Sequence, residues 1–257
     1  MASLPCLLIT KKESCRIFLT RTRLRPLRPI HNAFSREEPF CRGSCGSCKV
    51  SILRATRLRY SKRAMPSFVL ASTSPRRAAL LSDAGFQFEI APPRLAEKFD
   101  AALTIRELTQ WNAIRKGMSI AQARPDAVVL AADTLVALEN EVICKPVDLD
   151  EATQMLRRLS GRTHEVCSAV LIYHQTSGRS AVFHDISRVR FRRLNRAMID
   201  KYVAKADPLD KAGAYAAQGS GAEIIAKING SFTNVVGLPM EKTIDALAKF
   251  GIRPRKS

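Results

Sequence analysis

The sequence predicts an α/β protein, and three features support this class. An apolar run at 68–71 leads through a short turn directly into a helix start. Six small or apolar residues at 127–132 are typical of a central strand that is buried on both faces. Two longer apolar segments, 163–173 and 181–191, flank a Ser-Gly turn and indicate a hairpin. The 257 residues suffice for one large α/β domain or two small ones.

The first turn of the first helix carries two arginines where helices normally avoid cations. Ser74 suits the N-cap and Pro75 the first helical position. Arg76 and Arg77 then meet the positive end of the helix dipole, at a cost of about 0.3–1 kcal/mol each. A bound anion would offset this cost, and backbone N–H groups with two guanidinium groups would form a phosphate cradle. From this motif alone, a solvated helix start would be the preferred interpretation.

The next elements follow from local signals. The first helix should end at Gly85, and the alternating residues 86–90 indicate a strand. Pro92 and Pro93 then break the chain, and residues 94–103 are expected to form a loop that carries Glu97.

A long helix is predicted at 104–123, with Thr104 as its N-cap and Glu107 at the reciprocal position of a capping box. Lys116 lies on this helix among apolar residues. From its spacing alone, we expect an exposed amine.

Asp133 follows the apolar run at 127–132. A carboxylate is expensive to bury unless it is paired or binds a metal ion. Ligands of open α/β sheets collect at the carboxyl ends of strands, so Asp133 is expected to be functional rather than a turn cap. Lys145, on the return strand 141–146, should lie close to Asp133 across the hairpin.

The remaining elements have ordinary start and stop signals. They are a helix at 148–159, the strands 163–173 and 181–191, a helix at 195–205, a strand at 224–228 and a single terminal helix from 234 to 250. His164, at a strand entry, is expected to be a structural hydrogen-bonding group. The amide of Gln218, in a loop rich in small residues, could pair with the edge of a base, although an exposed loop amide is the simpler interpretation.

The positive charge is concentrated in the first quarter of the chain. The whole sequence has a net charge of +19, of which residues 1–64 contribute +12 and residues 65–257 only +7. We expect 1–64 to be a disordered basic arm, either an organelle transit peptide or upstream sequence preceding a start at Met65. Residues 65–257 should form the folded domain. With 20 acidic residues, this domain is a poor candidate for general nucleic-acid binding.

Two observations bear on location. No segment approaches the roughly 18 consecutive apolar residues of a membrane span, so no membrane partner is expected. Cys144 and Cys167 are isolated in the domain, which suits a reducing compartment. We therefore expect a cytoplasmic protein, or an organellar one if the arm is a transit peptide.

Six motifs, in this order, resemble those of the Maf-type nucleoside triphosphate pyrophosphatases. The resemblance covers about 65–251, essentially the whole domain and none of the arm. The motifs are Ser-Thr-Ser-Pro-Arg-Arg at 72–77, Ala-Asp-Thr at 132–134, Lys-Pro at 145–146, Leu-Ser-Gly-Arg-Thr-His at 159–164, Asp-Lys-Ala-Gly-Ala-Tyr at 210–215 and Asn-Val-Val-Gly-Leu-Pro at 234–239.

The resemblance implies a two-lobed mixed sheet flanked by helices, similar to the inosine triphosphate pyrophosphatase fold, and usually a homodimer. It implies hydrolysis of a nucleoside triphosphate to the monophosphate and pyrophosphate with Mg²⁺ or Mn²⁺. Asp133 matches the family's proton acceptor, and it could equally be a metal ligand, with Glu97 as a second one. The residues matching the phosphate and metal environment are Ser72, Arg76, Arg77, Glu97, Lys116 and Lys145.

Substrate preference divides this family into branches. Arg76, Thr134 and Gln218 match the specificity positions of the branch that prefers dTTP and UTP, and modified pyrimidine nucleotides are an open extension of that class. Ala216 and Ala217 replace the Gly-Ile that is commoner before this glutamine. A 7-methyl-GTP pyrophosphatase and a non-enzymatic nucleotide-binding regulator of cell division are the alternatives.

Overall fold

The computed structural model describes residues 17–18, 67–100, 102–139 and 141–255. In these residues, an eight-stranded mixed sheet is flanked by helices, which confirms the predicted class. The strands are β1 (Ile17–Phe18), β2 (Phe68–Ala71), β3 (Glu89–Ile90), β4 (Val128–Leu138), β5 (Glu141–Ile143), β6 (Thr163–His174), β7 (Arg179–Phe191) and β8 (Ile225–Asn229). The helices are α1 (Pro75–Asp83), α2 (Ile105–Ala123), α3 (Leu149–Leu159), α4 (Arg196–Lys205), α5 (Gly221–Ile224), α6 (Phe232–Val236) and α7 (Met240–Lys249), with a 3-10 turn at Ala212–Ala214.

Strand β4 has one partner along one edge and two different partners along the other. Its continuous edge pairs antiparallel with β6 from Val128 to Ala137. On the other edge, residues 128–131 pair in parallel with β2, and residues 136–138 pair antiparallel with β5. Within the described ladders, residues 132–135 therefore lie in a gap between β2 and β5. The gap opens because β2 ends at Ala71 and the chain turns into α1.

Alternate side chains of β4 enter the cores on opposite faces of the sheet. Val129 and Ala131 pack with Ala121 of α2 on one face. Val136 packs with Leu156 of α3 on the other face, where residues of α1, α4, α6 and α7 also contribute to the core. The helix α2 lies very close to the sheet, because a Cβ added at Gly117 would meet Leu171 Cδ2 at 2.5 Å.

The C-terminal region differs from the prediction. The expected single helix at 234–250 is two helices, α6 and α7, with a break at Gly237. Gly237 has φ +124°, a conformation that side-chain-bearing residues rarely adopt, and Pro239 follows it. The strand predicted at 86–90 was too long, since only Glu89–Ile90 pairs with β2.

The N-terminal segment is largely outside the described residues. Only β1 is described there, and it pairs with β5. The proposed boundary between 1–64 and 65–257, and the disorder expected for the arm, therefore stay predictions. Among the described helices, none combines the length and hydropathy required to span a bilayer.

Candidate active site

A cavity of about 570 Å³ lies at the gap in the β4 ladder. Eight of the nine residues singled out from the sequence line it, namely Ser72, Arg76, Arg77, Glu97, Lys116, Asp133, Thr134 and Lys145. The ninth, Gln218, is exposed and does not belong to the lining, although its neighbour Ala217 does. Asp133 and Thr134 point to opposite faces of the sheet, so the cavity reaches both faces at the gap.

Asp133 is buried in this cavity with one oxygen paired and one unpaired. Only 2% of the residue is exposed. Its Oδ1 accepts a hydrogen bond from Lys116 Nζ at 2.5 Å. Its Oδ2 is buried and has no hydrogen-bond partner among the described residues. An unpartnered buried carboxylate oxygen is costly, so Oδ2 is suited to a metal ion, a water molecule or a proton.

Lys116 is not the exposed amine that its spacing suggested. Its Nζ bridges two carboxylates, Asp133 and Glu97, with the Glu97 Oε1 at 3.0 Å. The spacing of apolar residues in α2 led to the wrong prediction, because the two carboxylate partners of Lys116 come from a strand and from a distant loop.

Lys145 lines the same cavity as Asp133, as expected, and its ion pair is with Glu97. Its Nζ lies 2.9 and 3.1 Å from the two Glu97 carboxylate oxygens. Burial alone would raise the pKa of Glu97, but Lys116 and Lys145 outweigh it and lower that pKa to about 2. Glu97 is therefore ionised at neutral pH and holds the two ammonium groups together.

Arg77 is anchored inside the protein by three hydrogen bonds. Its Nε donates to the Gly237 carbonyl at 2.8 Å, one terminal nitrogen donates to Ser72 Oγ at 3.2 Å, and the other donates to Thr134 Oγ1 at 2.9 Å. Burial lowers the pKa of Arg77, and the charge of nearby Asp133 opposes that effect. With three donors engaged, Arg77 organises the cavity wall and retains two further N–H groups.

A chain of hydroxyl groups continues from Arg77, and no pattern in the sequence indicated it. Ser168 Oγ donates to the Asn234 carbonyl at 2.8 Å, so its single proton is used there. Thr134 Oγ1 donates to Ser168 Oγ at 2.8 Å, which is much nearer than its other acceptor, the Gly237 carbonyl at 3.4 Å. Arg77 in turn donates to Thr134. The direction of every hydrogen bond in this chain is fixed, and Ser168 is fully buried at its centre.

The mouth of the cavity carries a further ion pair. Arg76 NH1 lies 3.2 Å from Asp210 Oδ2, and the Lys211 ammonium contacts the same carboxylate. Burial alone would raise the pKa of Asp210, but Lys211 and Arg76 outweigh burial, and the pKa is lower than its ordinary value. Asp210 is therefore ionised at neutral pH. Asp210 was not among the site residues predicted from the sequence, because its partner Arg76 lies 134 residues earlier in the chain.

The side of the cavity formed by α6 and the 212–217 segment is less polar. Its lining residues are Val136, Val166, Ala212, Tyr215, Ala216, Ala217, Val235 and Val236. The Tyr215 hydroxyl lies 2.7 Å from His164 Nε2, which confirms the structural role expected for His164. Burial lowers the pKa of His164 to about 4, so its ring is neutral at pH 7. The cavity thus combines a charged part suited to phosphates with an apolar part suited to a flat ring.

The carboxylates present fit a hard divalent cation that is shared with a ligand. Among the described residues, no group of three or more His, Cys, Asp or Glu side chains could hold a metal ion alone. Mg²⁺ is often held by one or two carboxylates together with substrate phosphates. Asp133, through its unpartnered Oδ2, and Glu97 provide such a pair.

Comparison with known proteins places the chain in a family. A family model described as "Maf-like protein" matches residues 67–250. The dTTP/UTP pyrophosphatase of Bacillus pumilus is 43% identical over 190 residues, which are 74% of this chain and 100% of that protein. The dTTP/UTP pyrophosphatase of Aquifex aeolicus is 41% identical over 187 residues, which are 72% and 95% of the two chains. A solved HAM1 protein from Coxiella burnetii is 17% identical, with a TM-score of 0.38, over 51% of this chain and 76% of that chain.

Proposed function

The chain belongs to the Maf-like protein family, and we propose that it hydrolyses dTTP and UTP to the nucleoside monophosphate and pyrophosphate. The observation that carries this proposal is the buried Asp133, whose Oδ2 has no hydrogen-bond partner among the described residues and which lines the same cavity as Lys116, Lys145 and Arg76. The substrate choice rests on the printed names of relatives that this chain matches over 95–100% of their length.

The charged groups suit a triphosphate. Phosphoryl transfer depends chiefly on positioning and on neutralising charge. Arg76, Lys116 and Lys145 line the cavity with their charged ends satisfied by Asp210, Asp133 and Glu97. Phosphate oxygens can replace the carboxylates of Asp210 and Glu97 as partners of these cations. The apolar part of the cavity then receives the base.

Asp133 is the proposed proton acceptor. A water molecule hydrogen-bonded to Oδ2 attacks the α-phosphorus, its proton passes to Oδ2, and the bond from the α-phosphorus to the bridging oxygen breaks to release pyrophosphate. Lys116 keeps the carboxylate oriented through Oδ1. Mg²⁺ or Mn²⁺, held by Asp133 and Glu97, would supply further charge neutralisation on the phosphate oxygens.

The decisive experiment is a nucleotide panel. The full chain is incubated with Mg²⁺ or Mn²⁺ and each triphosphate, and pyrophosphate release is measured. Release chiefly from dTTP and UTP supports the proposal. Release chiefly from 7-methyl-GTP contradicts the proposed substrate class, and no release by the folded protein contradicts the enzymatic function.

The remaining proposals concern assembly, arm and location. We propose a homodimer in the cytoplasm, which light scattering and a fluorescent fusion would test. A variant beginning at Met65 should keep its nucleotide hydrolysis, because the family match starts at residue 67. Loss of activity in this variant, with the fold retained, would contradict a dispensable arm.

A further inference from the structure

The segment that presents Glu97 has neither helical nor strand structure, and one helix holds it in place. Residues 91–100 form no regular element, and most of them are exposed. Three residues of α2 bind three consecutive residues of this segment. Arg115 NH1 donates to the Ala96 carbonyl at 3.2 Å, and Lys116 Nζ pairs with Glu97. Asn112 binds Lys98.

Asn112 makes the most specific of these contacts. Its Oδ1 accepts from the Lys98 backbone N–H at 3.2 Å, and its Nδ2 donates to the Lys98 carbonyl at 3.1 Å. Both ends of one amide are thus used on one backbone residue. Asn112 is only 1% exposed, and its polar atoms would be costly to bury without this partner.

The three contacts lie on one surface of α2. Positions 112, 115 and 116 are spaced i, i+3 and i+4, so their side chains lie together on the helix. The same helix therefore supplies Lys116 to the site and fixes the backbone on which Glu97 stands. On the other side, the Glu97 carboxylate reaches Lys145.

We infer that Asn112 is a positioning residue that sets the place of the Glu97 carboxylate through the Lys98 backbone. The inference rests on the proposed function, because it assigns a source for the geometry of Glu97 in that site. Asn112 does not line the cavity and acts only through its neighbour. If Asn112 contributed only to the stability of the fold, its removal would disturb Glu97 no more than it disturbs other residues of the site.

Asn112→Ala should lower kcat/KM and the affinity for Mn²⁺ by 10- to 100-fold, which is the usual effect of losing a group that orients a metal ligand. Mn²⁺ binding to the full chain in the presence of pyrophosphate, which supplies the phosphate oxygens that share the cation, gives a readout that needs no turnover. The matched control is Thr109→Ala. Thr109 is also fully buried on α2, but its hydroxyl donates to Ile105 of the same helix at 2.5 Å and not to the 96–98 segment.

A double-mutant cycle separates positioning from general stabilisation. In a Glu97→Ala background, Asn112→Ala should change kcat/KM by less than about twofold, since the group that it positions is gone. An unchanged 10- to 100-fold effect in that background would overturn the inference, as would an effect of Thr109→Ala equal to that of Asn112→Ala.

Limited trypsin digestion tests the docked segment independently of catalysis. Lys98 is the backbone residue that Asn112 holds, so Asn112→Ala should accelerate cleavage after Lys98 by at least tenfold, and Thr109→Ala should not. Unchanged cleavage would overturn the inference even if the enzyme is active. If Asn112→Ala speeds cleavage but the original protein hydrolyses no nucleotide, the result supports the positioning role of Asn112 and refutes the proposed function.

Discussion

Lys116 and Asp133 form a buried ion pair, with Nζ 2.5 Å from Oδ1, and the two partners depend on it unequally. Lys116 also has Glu97 at 3.0 Å. Asp133 accepts its one hydrogen bond from Lys116, and its other oxygen has no partner among the residues that the structure describes. Removing one partner therefore has a different consequence from removing the other.

Lys116→Met should destabilise the protein strongly. It removes the only countercharge that is hydrogen-bonded to Asp133 among the described residues, and breaking a buried pair in this way costs about 3–5 kcal/mol of unfolding free energy. Urea denaturation measures the change. Lys145→Ala is the control for stability, because the Lys145 side chain is 45% exposed and its loss should cost less than about 1 kcal/mol. Equal losses would contradict the unequal dependence.

Asp133→Asn should abolish turnover and keep the fold. Lys116 retains Glu97 as its partner, so no buried charge is left alone. Loss of a proton acceptor lowers turnover by about 10²- to 10⁴-fold. Pyrophosphate release and a thermal melt of the same preparation are measured together. Hydrolysis at the original rate by the folded variant would refute the assigned role.

Glu97 should make the protein more stable at neutral pH than at acid pH. Its pKa falls from an ordinary value of 4.5 to about 2 in the folded state, so its contribution is complete above about pH 4.5 and is lost as the pH falls toward 2. At neutral pH the contribution is about 3 kcal/mol at most. Urea titrations of the original protein and Glu97→Gln should differ above pH 5 and converge near pH 2. A difference independent of pH would contradict this linkage.

Ser168→Ala should weaken both stability and substrate binding. It removes the acceptor of the Thr134 hydroxyl and one donor to the Asn234 carbonyl, at a cost of about 1–2 kcal/mol. Because Thr134 in turn holds Arg77, we expect kcat/KM to fall by about tenfold, with recovery in Ser168→Thr, which restores the hydroxyl.

Ser187→Ala is the matched control for this experiment. Ser187 is equally buried, and its hydroxyl donates to the Ser231 carbonyl and accepts from Asn234 Nδ2, without a hydrogen bond to Thr134. Its stability loss should be similar, but its kinetics should stay close to those of the original protein. If both alanine variants lowered kcat/KM equally, the hydroxyl chain would have no specific role at the site.

Local sequence signals were sufficient for some of the site and not for the rest. A carboxylate at the end of a buried run, as at Asp133, is an expensive arrangement, which is why it indicates function without any knowledge of the fold. The two cations in the first turn of α1 are costly as well, but their motif alone favoured a solvated helix start. Lys116 illustrates the opposite case. Its identity as a site residue came from the family resemblance, because its two carboxylate partners lie on elements that only the tertiary structure brings to α2.

The break in the terminal helix and the hydroxyl chain were also not predicted, because local periodicity carries no signal for either. The pattern of apolar residues continues from 234 to 250, and α6 and α7 are separated at Gly237, with φ +124°, and at Pro239, the N-cap of α7. Ser168 lies within a continuous apolar strand, where serine is ordinary. Neither feature changes the local periodicity, so neither could be predicted from it.

The gap in the β4 ladder has a mechanical consequence. One edge of β4 is paired with β6 from residue 128 to residue 137. The other edge is paired with β2 before residue 132 and with β5 after residue 135. A strand segment that is hydrogen-bonded along one edge only resists bending less than a segment that is paired along both edges. Flexing of the sheet about residues 132–135 would therefore alter the distance between the turn at Ser72 and Lys145, which lie on either side of the place proposed for the substrate.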